Sequence, residues 1–342
     1  MGPCSRRLQP LNSSWWSPSN CAAVACFAHR GGCPSSSWKD AIAPAVSASA
    51  AGPLVLVNAG ANKGYAVAEF VQRFGSATFT ARDWLNNLTA IKSNMMLPCG
   101  FCKACQARAP TSRRHPGPIH AHAVELMPGN VAVLELMYSR MHVPGKVHAL
   151  ALSNYSGEAY RSSVFRTGEE DMGAMDTPQR HSVKVRSLTL EDWAREHGVR
   201  QVDLLSLDAE GWDLRILRGA ASLLTSKRIS VVEFELAPSR WVTAAGVQHW
   251  WTLPSAPLER NATHPGLLWA TRELHATVSW LSELGYSCFW QGRDEEAPLL
   301  DATPESLGAC TPNIAKVAQA NLVCAHSALV LERMRALRIG WS

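Results

Sequence analysis

The sequence predicts an α/β protein built on a doubly wound, mainly parallel sheet, and three observations carry that expectation. Apolar runs of strand length recur at Leu54–Val57, Ile119–Leu126, Lys146–Leu152, Val202–Leu207 and Ile229–Leu236. Segments with apolar residues at helical spacing separate them. Several runs lead into Asn58, Glu125 or Asp208, at the strand ends where open α/β sheets hold their ligands. Near-continuous apolar strands suit burial on both faces, and the alternation of strand and helix favours right-handed crossovers between parallel neighbours.

Leu54–Val57 runs into Asn58-Ala59-Gly60-Ala61-Asn62-Lys63-Gly64, and Val67, Phe70, Val71 and Phe74 then follow at helical spacing. A glycine loop that opens a helix offers backbone N–H groups and the positive helix end to a polar ligand. Glycine at 60 and 64 is expected because a Cβ there would hold the ligand off the backbone. The second strand, Ile119–Leu126, carries Glu125 65 positions beyond Gly60. An acid that binds ribose is expected about 20 positions on. Treating residues 76–118 as an insertion reduces the separation to 22. A helix near Val131–Met141, a third strand at Lys146–Leu152 and a variable stretch, Ser153–His181, come next. The fourth strand ends at Asp208, a helix bears Leu214, Leu217, Ala221 and Leu224, and the fifth strand is Ile229–Leu236. A helix around Leu267–Leu284 and the runs Tyr286–Trp290 and Asn321–His326 complete a domain spanning residues 52–342.

The chain has 342 residues, 46% apolar and 18% charged, enough to bury a full core. Its net charge of +5, with Lys and Arg scattered, argues against a nucleic-acid partner. No apolar run reaches the roughly 18 residues of a membrane-spanning helix. Residues 1–51, rich in Ser, Pro, Ala and Gly, read as a disordered or targeting extension. The run Ala22–Ala28 is short for an export-signal core, contains Cys26 and precedes His29 and Arg30, so a soluble, cytoplasmic protein is favoured. Asn-x-Ser/Thr sequons at Asn12, Asn87, Asn154 and Asn261 matter only in a secreted protein. Ten cysteines are sparse for a disulfide scaffold, and their clustering suits reduced thiols or a metal better.

In three ordered motifs, Leu188-Thr189-Leu190-Glu191-Asp192-Trp193, Asp208-Ala209-Glu210-Gly211 and Leu217-Arg218-Gly219-Ala220, the chain resembles the FkbM-type S-adenosylmethionine-dependent methyltransferases. The likeness extends to residues 58–64, to Glu125-Leu126-Met127-Pro128-Gly129-Asn130, and to Gly285-Tyr286 and Asn321-Leu322-Val323-Cys324. It implies a Rossmann-like, seven-stranded sheet of class I methyltransferase type, with the last strand inserted antiparallel. The implied activity is O-methylation of a hydroxyl on a small molecule or sugar, with S-adenosylmethionine as cofactor.

The resemblance places Asn58, Gly60, Ala61, Asn62 and Gly64 around the methionine part of the cofactor. It places Glu125 on the ribose hydroxyls, a task suited to a carboxylate with acceptor oxygens only. Asp208 and Glu210 read either as cofactor or acceptor contacts or as a helix cap with a first-turn acid. Asp208 is the first candidate base for the acceptor hydroxyl, with Glu210 beside it, and Glu235 the second. Asn58 stands where the family usually has aspartate, so weaker cofactor affinity is expected. Trp241, Trp250, Trp251 and Trp269 read as an acceptor-covering lid or as core filling, with His249 and His264 nearby in sequence.

Cys99, Cys102 and Cys105 form a C-x2-C-x2-C array with His115, His120 and His122 downstream, which suits either a structural zinc or plain thiols. A nucleotide-linked oxidoreductase is disfavoured, because Gly60 and Gly64 form G-x3-G rather than G-x-G-x-x-G. A degenerate fold acting as a non-catalytic binding module is the other alternative.

Overall fold

The structure, a computed structural model, describes residues 37–49, 52–75, 79–91, 118–164, 166–169, 174–236, 265–292, 299–310, 314 and 320–337. In chain order the elements are α1 (Ser37–Ser49), β1 (Leu54–Ala59), α2 (Tyr65–Phe74), α3 (Ala81–Ala90), β2 (Ile119–Glu125), α4 (Pro128–Arg140), β3 (Gly145–Ala149), β4 (Ala151–Ser153), β5 (Gly157–Ser162) and β6 (Ser182–Thr189). They continue with α5 (Leu190–Glu196), β7 (Val202–Leu207), α6 (Asp213–Arg218), α7 (Ala221–Thr225), β8 (Ile229–Leu236), α8 (Pro265–Glu283), β9 (Ser287–Gln291), β10 (Leu299–Ala302), α9 (Pro304–Ala309), β11 (Ala320–Ala325) and α10 (Ala328–Ala336). Two compact units emerge among the described residues, one of residues 39–232 and one from 233 onward, so that the division falls inside β8.

In the 39–232 unit the sheet order is β8-β7-β1-β2-β3. β1 pairs in parallel with both β2 and β7, and β2 with β3. The all-buried β7 and nearly all-buried β1 sit at its centre, as their unbroken apolar runs require. Val67, Val71, Leu134 and Met137 from α2 and α4 are fully buried. Pro128 opens α4, where its missing N–H costs nothing.

Several expectations are corrected here. The third strand breaks at Leu150, and its second half, β4, leaves for a separate three-stranded sheet of order β4-β6-β5. The helix after Asp208 is two short helices, interrupted at Gly219–Ala220 beside the Ser153 carbonyl. Within the stretch read as an insertion, α3 is part of the packed structure. Thr80 and Asp83 form a reciprocal capping box at its start, and Trp84 is fully buried. Helix α1 likewise lies within the stretch read as an extension.

In the other unit the order is β10-β9-β11-β8, with β9 antiparallel to both β10 and β11. Parallel pairs in the one unit and antiparallel pairs in the other make the strand directions mixed, where a mainly parallel seven was expected. The antiparallel pairing of β11 with β9 is the arrangement implied for the last strand. Gln291 Nε2 donates to Glu233 Oε1 across 2.8 Å, which satisfies two buried polar groups. Cys288 and Cys324 form a disulfide, and Cys310 is also disulfide-bonded, so the described cysteines are oxidised where thiols were expected. Cys288 and Cys324 lie on β9 and β11, which are separated by β10 and α9 along the chain, and sequence spacing does not reveal the pairing. Cys99, Cys102 and Cys105 lie outside the described residues. No helix among the described residues is long and apolar enough to cross a membrane.

Candidate functional site

Because β1, β2 and β7 are parallel, their carboxyl ends share one rim, and three loops meet there. Gly60 N and Ala61 N both donate to Val124 O, at 3.0 and 3.2 Å, which ties the first loop to the end of β2. Asn62 N donates to Glu125 Oε2 at 2.7 Å, and Met127 N to Glu125 Oε1 at 2.8 Å. On the other side, Asp208 N donates to Ala59 O at 3.0 Å. Loop 58–64, Glu125 and Asp208 therefore converge, as the sequence led us to expect.

The glycines also answer to the packing of the protein itself. Gly60 has φ +78°, and a Cβ on it would lie 1.9 Å from the Asp208 carbonyl oxygen. Gly64 has φ +77°, and its Cβ would lie 2.6 Å from the Trp84 ring and 2.8 Å from Leu134. Both positions serve the close approach of protein to protein. Trp84 also donates from Nε1 to Lys63 O at 2.8 Å, so α3 buttresses the loop from behind.

Burial raises the Glu125 carboxyl above the ordinary carboxylate range, and the N–H groups of Met127 and Asn62 work against that shift. Asn58 is buried; its Nδ2 donates to Ser206 O at 3.3 Å, while its Oδ1 has no partner among the described residues. An orphaned buried acceptor is costly unless a ligand completes it. The Asn62 Oδ1 is orphaned in the same way. An ammonium-bearing, ribose-bearing cofactor fits these donorless acceptors and the Glu125 carboxylate.

Asp208 is exposed at the start of the acidic turn. Glu210, with φ +53°, and Gly211, with φ +101°, turn the chain sharply into α6. Trp212, not Asp208, is the N-cap of α6 and offers no side-chain cap, which removes the simple capping account of Asp208. Glu235 is buried near the end of β8 in the other unit. Trp269 is half-buried in α8, and Trp241, Trp250, Trp251, His249 and His264 lie outside the described residues.

Sequence reasoning missed a strap across this rim. Lys63 Nζ donates to Gly168 O at 2.8 Å, Asn62 Nδ2 to Glu169 O at 3.3 Å, and Gly168 N to Asn130 Oδ1 at 2.7 Å. Asn130 closes the motif quoted above and was the available signal, whereas nothing local marked Lys63 as a buried lysine. Also missed was Asp203, at the opposite end of β7 from Asp208, whose Oδ2 accepts from Val55 N at 2.8 Å. Burial pushes its carboxyl up to about 6.

Of the histidines read as possible fourth zinc ligands, His120 and His122 are described, and both lie against other rings. His122 Nδ1 lies 3.0 Å from His148 Nε2, and Trp193 meets both rings edge-on at 5.1 and 5.2 Å. His197 sits 4.4 Å from His148, and the more exposed His120 sits 4.8 Å from His122. Burial first, and then the neighbouring histidines and Lys146, push His122 down to about 3; burial, His197 and Lys146 push His148 down to about 4. One hydrogen bond between two neutral rings accounts for the 3.0 Å contact. His115 lies outside the described residues.

No protein among the curated ones matches this sequence. Among solved structures, the crystal structure of a "putative RNA methyltransferase" from Pyrococcus horikoshii aligns at 10% identity and a TM-score of 0.27, over 94% of this chain and 95% of that one, a likeness too slight to bear on fold or substrate. The family model of the methyltransferase FkbM domain matches residues 58–288, which span both the loop at Asn58 and the acidic turn at Asp208. With that match over more than half its length, the chain belongs to the FkbM-domain methyltransferases.

Proposed function

We propose that the chain is an S-adenosylmethionine-dependent O-methyltransferase acting on a hydroxyl of a small molecule or sugar. The observation that carries the reading is the carboxylate of Glu125, held by two backbone N–H groups beside loop 58–64, with the unsatisfied Asn58 Oδ1 at the loop's start. Methyltransferases of this family typically use S-adenosylmethionine. When bound, it supplies an electrophilic methyl group on a sulfonium.

Each residue then has a task. Glu125 accepts from ribose hydroxyls, and Asn58 Oδ1 together with the loop around Gly60, Ala61, Asn62 and Gly64 takes the amino-acid end. Methyl transfer is a one-step displacement, so the protein's main contribution is to align the acceptor oxygen and exclude water. An alcohol is too weak an acid to ionise first, and the exposed carboxylate of Asp208 takes its proton as displacement proceeds. Glu210 shapes the turn that presents Asp208, and Glu235 is the second candidate base.

Calorimetry with S-adenosylmethionine and S-adenosylhomocysteine tests cofactor binding. Incubation with methyl-labelled cofactor and a cell extract then tests transfer. Binding of neither molecule would leave the non-catalytic module as the better reading. Label found on nitrogen or carbon acceptors would refute O-methylation.

A further inference from the structure

Two features that methyl transfer leaves unused point the same way. All three described cysteines are disulfide-bonded, and Cys288 and Cys324 face each other on the antiparallel pair of β9 and β11. Cys324 is fully buried and Cys288 nearly so. Disulfides built into a folded core form in oxidising compartments, since cytosolic thiol pools keep such pairs reduced.

The second feature lies in the 39–232 unit. Asn154-Tyr155-Ser156, a sequon, forms the turn between β4 and β5, with Asn154 and Ser156 both exposed. The turn is well anchored. Tyr155 donates from its hydroxyl to Glu158 O at 3.3 Å and Asp176 Oδ1 at 3.2 Å, and its carbonyl accepts from Ser187 Oγ at 3.3 Å. Asn154 Oδ1 accepts from Ser153 Oγ at 3.1 Å, but its Nδ2 has no partner among the described residues. The other described sequon contrasts with it. Asn87 is half-buried in α3, and its Nδ2 is engaged with Asp83 O at 3.0 Å, a bond that a glycan would break.

We propose that this protein matures in an oxidising, glycosylating compartment and carries an N-linked glycan on Asn154. The co-reactant is an oligosaccharide linked to a polyprenyl diphosphate. Asn154 Nδ2 forms a bond to the sugar C1 and gives up one proton, the bond from C1 to the diphosphate oxygen breaks, and the polyprenyl diphosphate leaves with the electron pair. Ser156 supplies the hydroxyl that the acceptor pattern requires; in the folded chain that hydroxyl donates to Asp192 Oδ2 and accepts from Thr189 N at 3.1 Å, so the sugar is transferred before this turn closes. A bulky, solvated group fits this exposed turn without displacing any packed side chain. The inference does not depend on the methyltransferase reading, and it stands against the cytoplasmic setting that the sequence favours.

The test uses the full chain with its own N-terminus, produced in a eukaryotic cell. Peptide mass spectrometry after N-glycanase treatment in 18O-water should show residue 154 as 18O-labelled aspartate. Asn154→Gln and Ser156→Ala should each remove one glycanase-sensitive step in gel mobility, and Ser156→Thr should retain it. Cys288 and Cys324 should resist alkylation under denaturing conditions until a reductant is added. Unmodified Asn154 peptide alone, or alkylation of both cysteines without reductant, would overturn the proposal. The mass measurement on the parent chain decides the question even if a variant fails to fold.

Discussion

Replacing Glu125 with glutamine probes the proposed site most directly. The carboxylate uses one oxygen for Asn62 N and the other for Met127 N. Glutamine keeps one acceptor but turns its amide toward the other N–H group, which loses one charge-assisted bond and leaves a buried donor unmet. That costs about 1.5–3 kcal/mol, against which the variant no longer has a carboxylate to desolvate. Stability should therefore change little. Binding has no such offset, because ribose hydroxyls lose a charged acceptor worth about 1.5–3 kcal/mol, or roughly ten- to 150-fold in affinity. Calorimetry with S-adenosylhomocysteine on both proteins, with thermal melts as a fold control, measures this. A 2′-deoxyribose analogue completes a double-mutant cycle, since the variant should discriminate against it far less than the parent does. Parental affinity in a folded variant, or an undiminished penalty for the deoxy analogue, would refute the assignment of Glu125 to ribose.

Gly60→Ala should abolish cofactor binding and lower the melting temperature, because its Cβ would meet the Asp208 carbonyl at 1.9 Å and the left-handed backbone itself costs about 1–2 kcal/mol for an L-residue; a parental melt would contradict the close approach of the two loops. Asn58→Asp sets a buried charge against Ser206 O in place of a hydrogen bond, so the free protein should melt lower while S-adenosylmethionine raises its melting temperature by more than it raises the parent's. The histidine pair predicts acid lability. Its folded-state pKa values lie below the unfolded value near 6.5, so the unfolded chain binds more protons, and stability is complete above pH 6.5 and falls as pH drops toward 4. The slope should approach about 1.4 kcal/mol per pH unit for each histidine. Melting temperature against pH reads it, and His122→Gln with His148→Gln should flatten the profile. Trp84→Phe removes the Nε1 bond to Lys63 O and should weaken cofactor binding several-fold while most of the buried ring contact is kept.

The central strands and the meeting of their carboxyl ends were legible because apolar runs and the D-x-E-G turn are local signals. Glu125 was legible only after a stretch was set aside to restore its spacing from Gly60, and that stretch contains the helix that supports the loop. Its Thr80–Asp83 capping box was readable in sequence but was overshadowed by the spacing argument. The small β4-β6-β5 sheet escaped because much of β5 and β6 is exposed and polar, so the period-2 signal is weak. The His122–His148 contact and the Cys288–Cys324 bond depend on strand register, which no spacing along the chain encodes.

The strap at residues 166–169 is joined to the rim through its own main chain: the carbonyls of 168 and 169 and the N–H of 168 meet side chains of Lys63, Asn62 and Asn130. The moorings are side chains of the glycine loop and of α4, while the rope is peptide backbone. Side-chain changes in the strap can thus leave its grip on the floor beneath intact, except at Gly168, whose φ of +78° favours glycine.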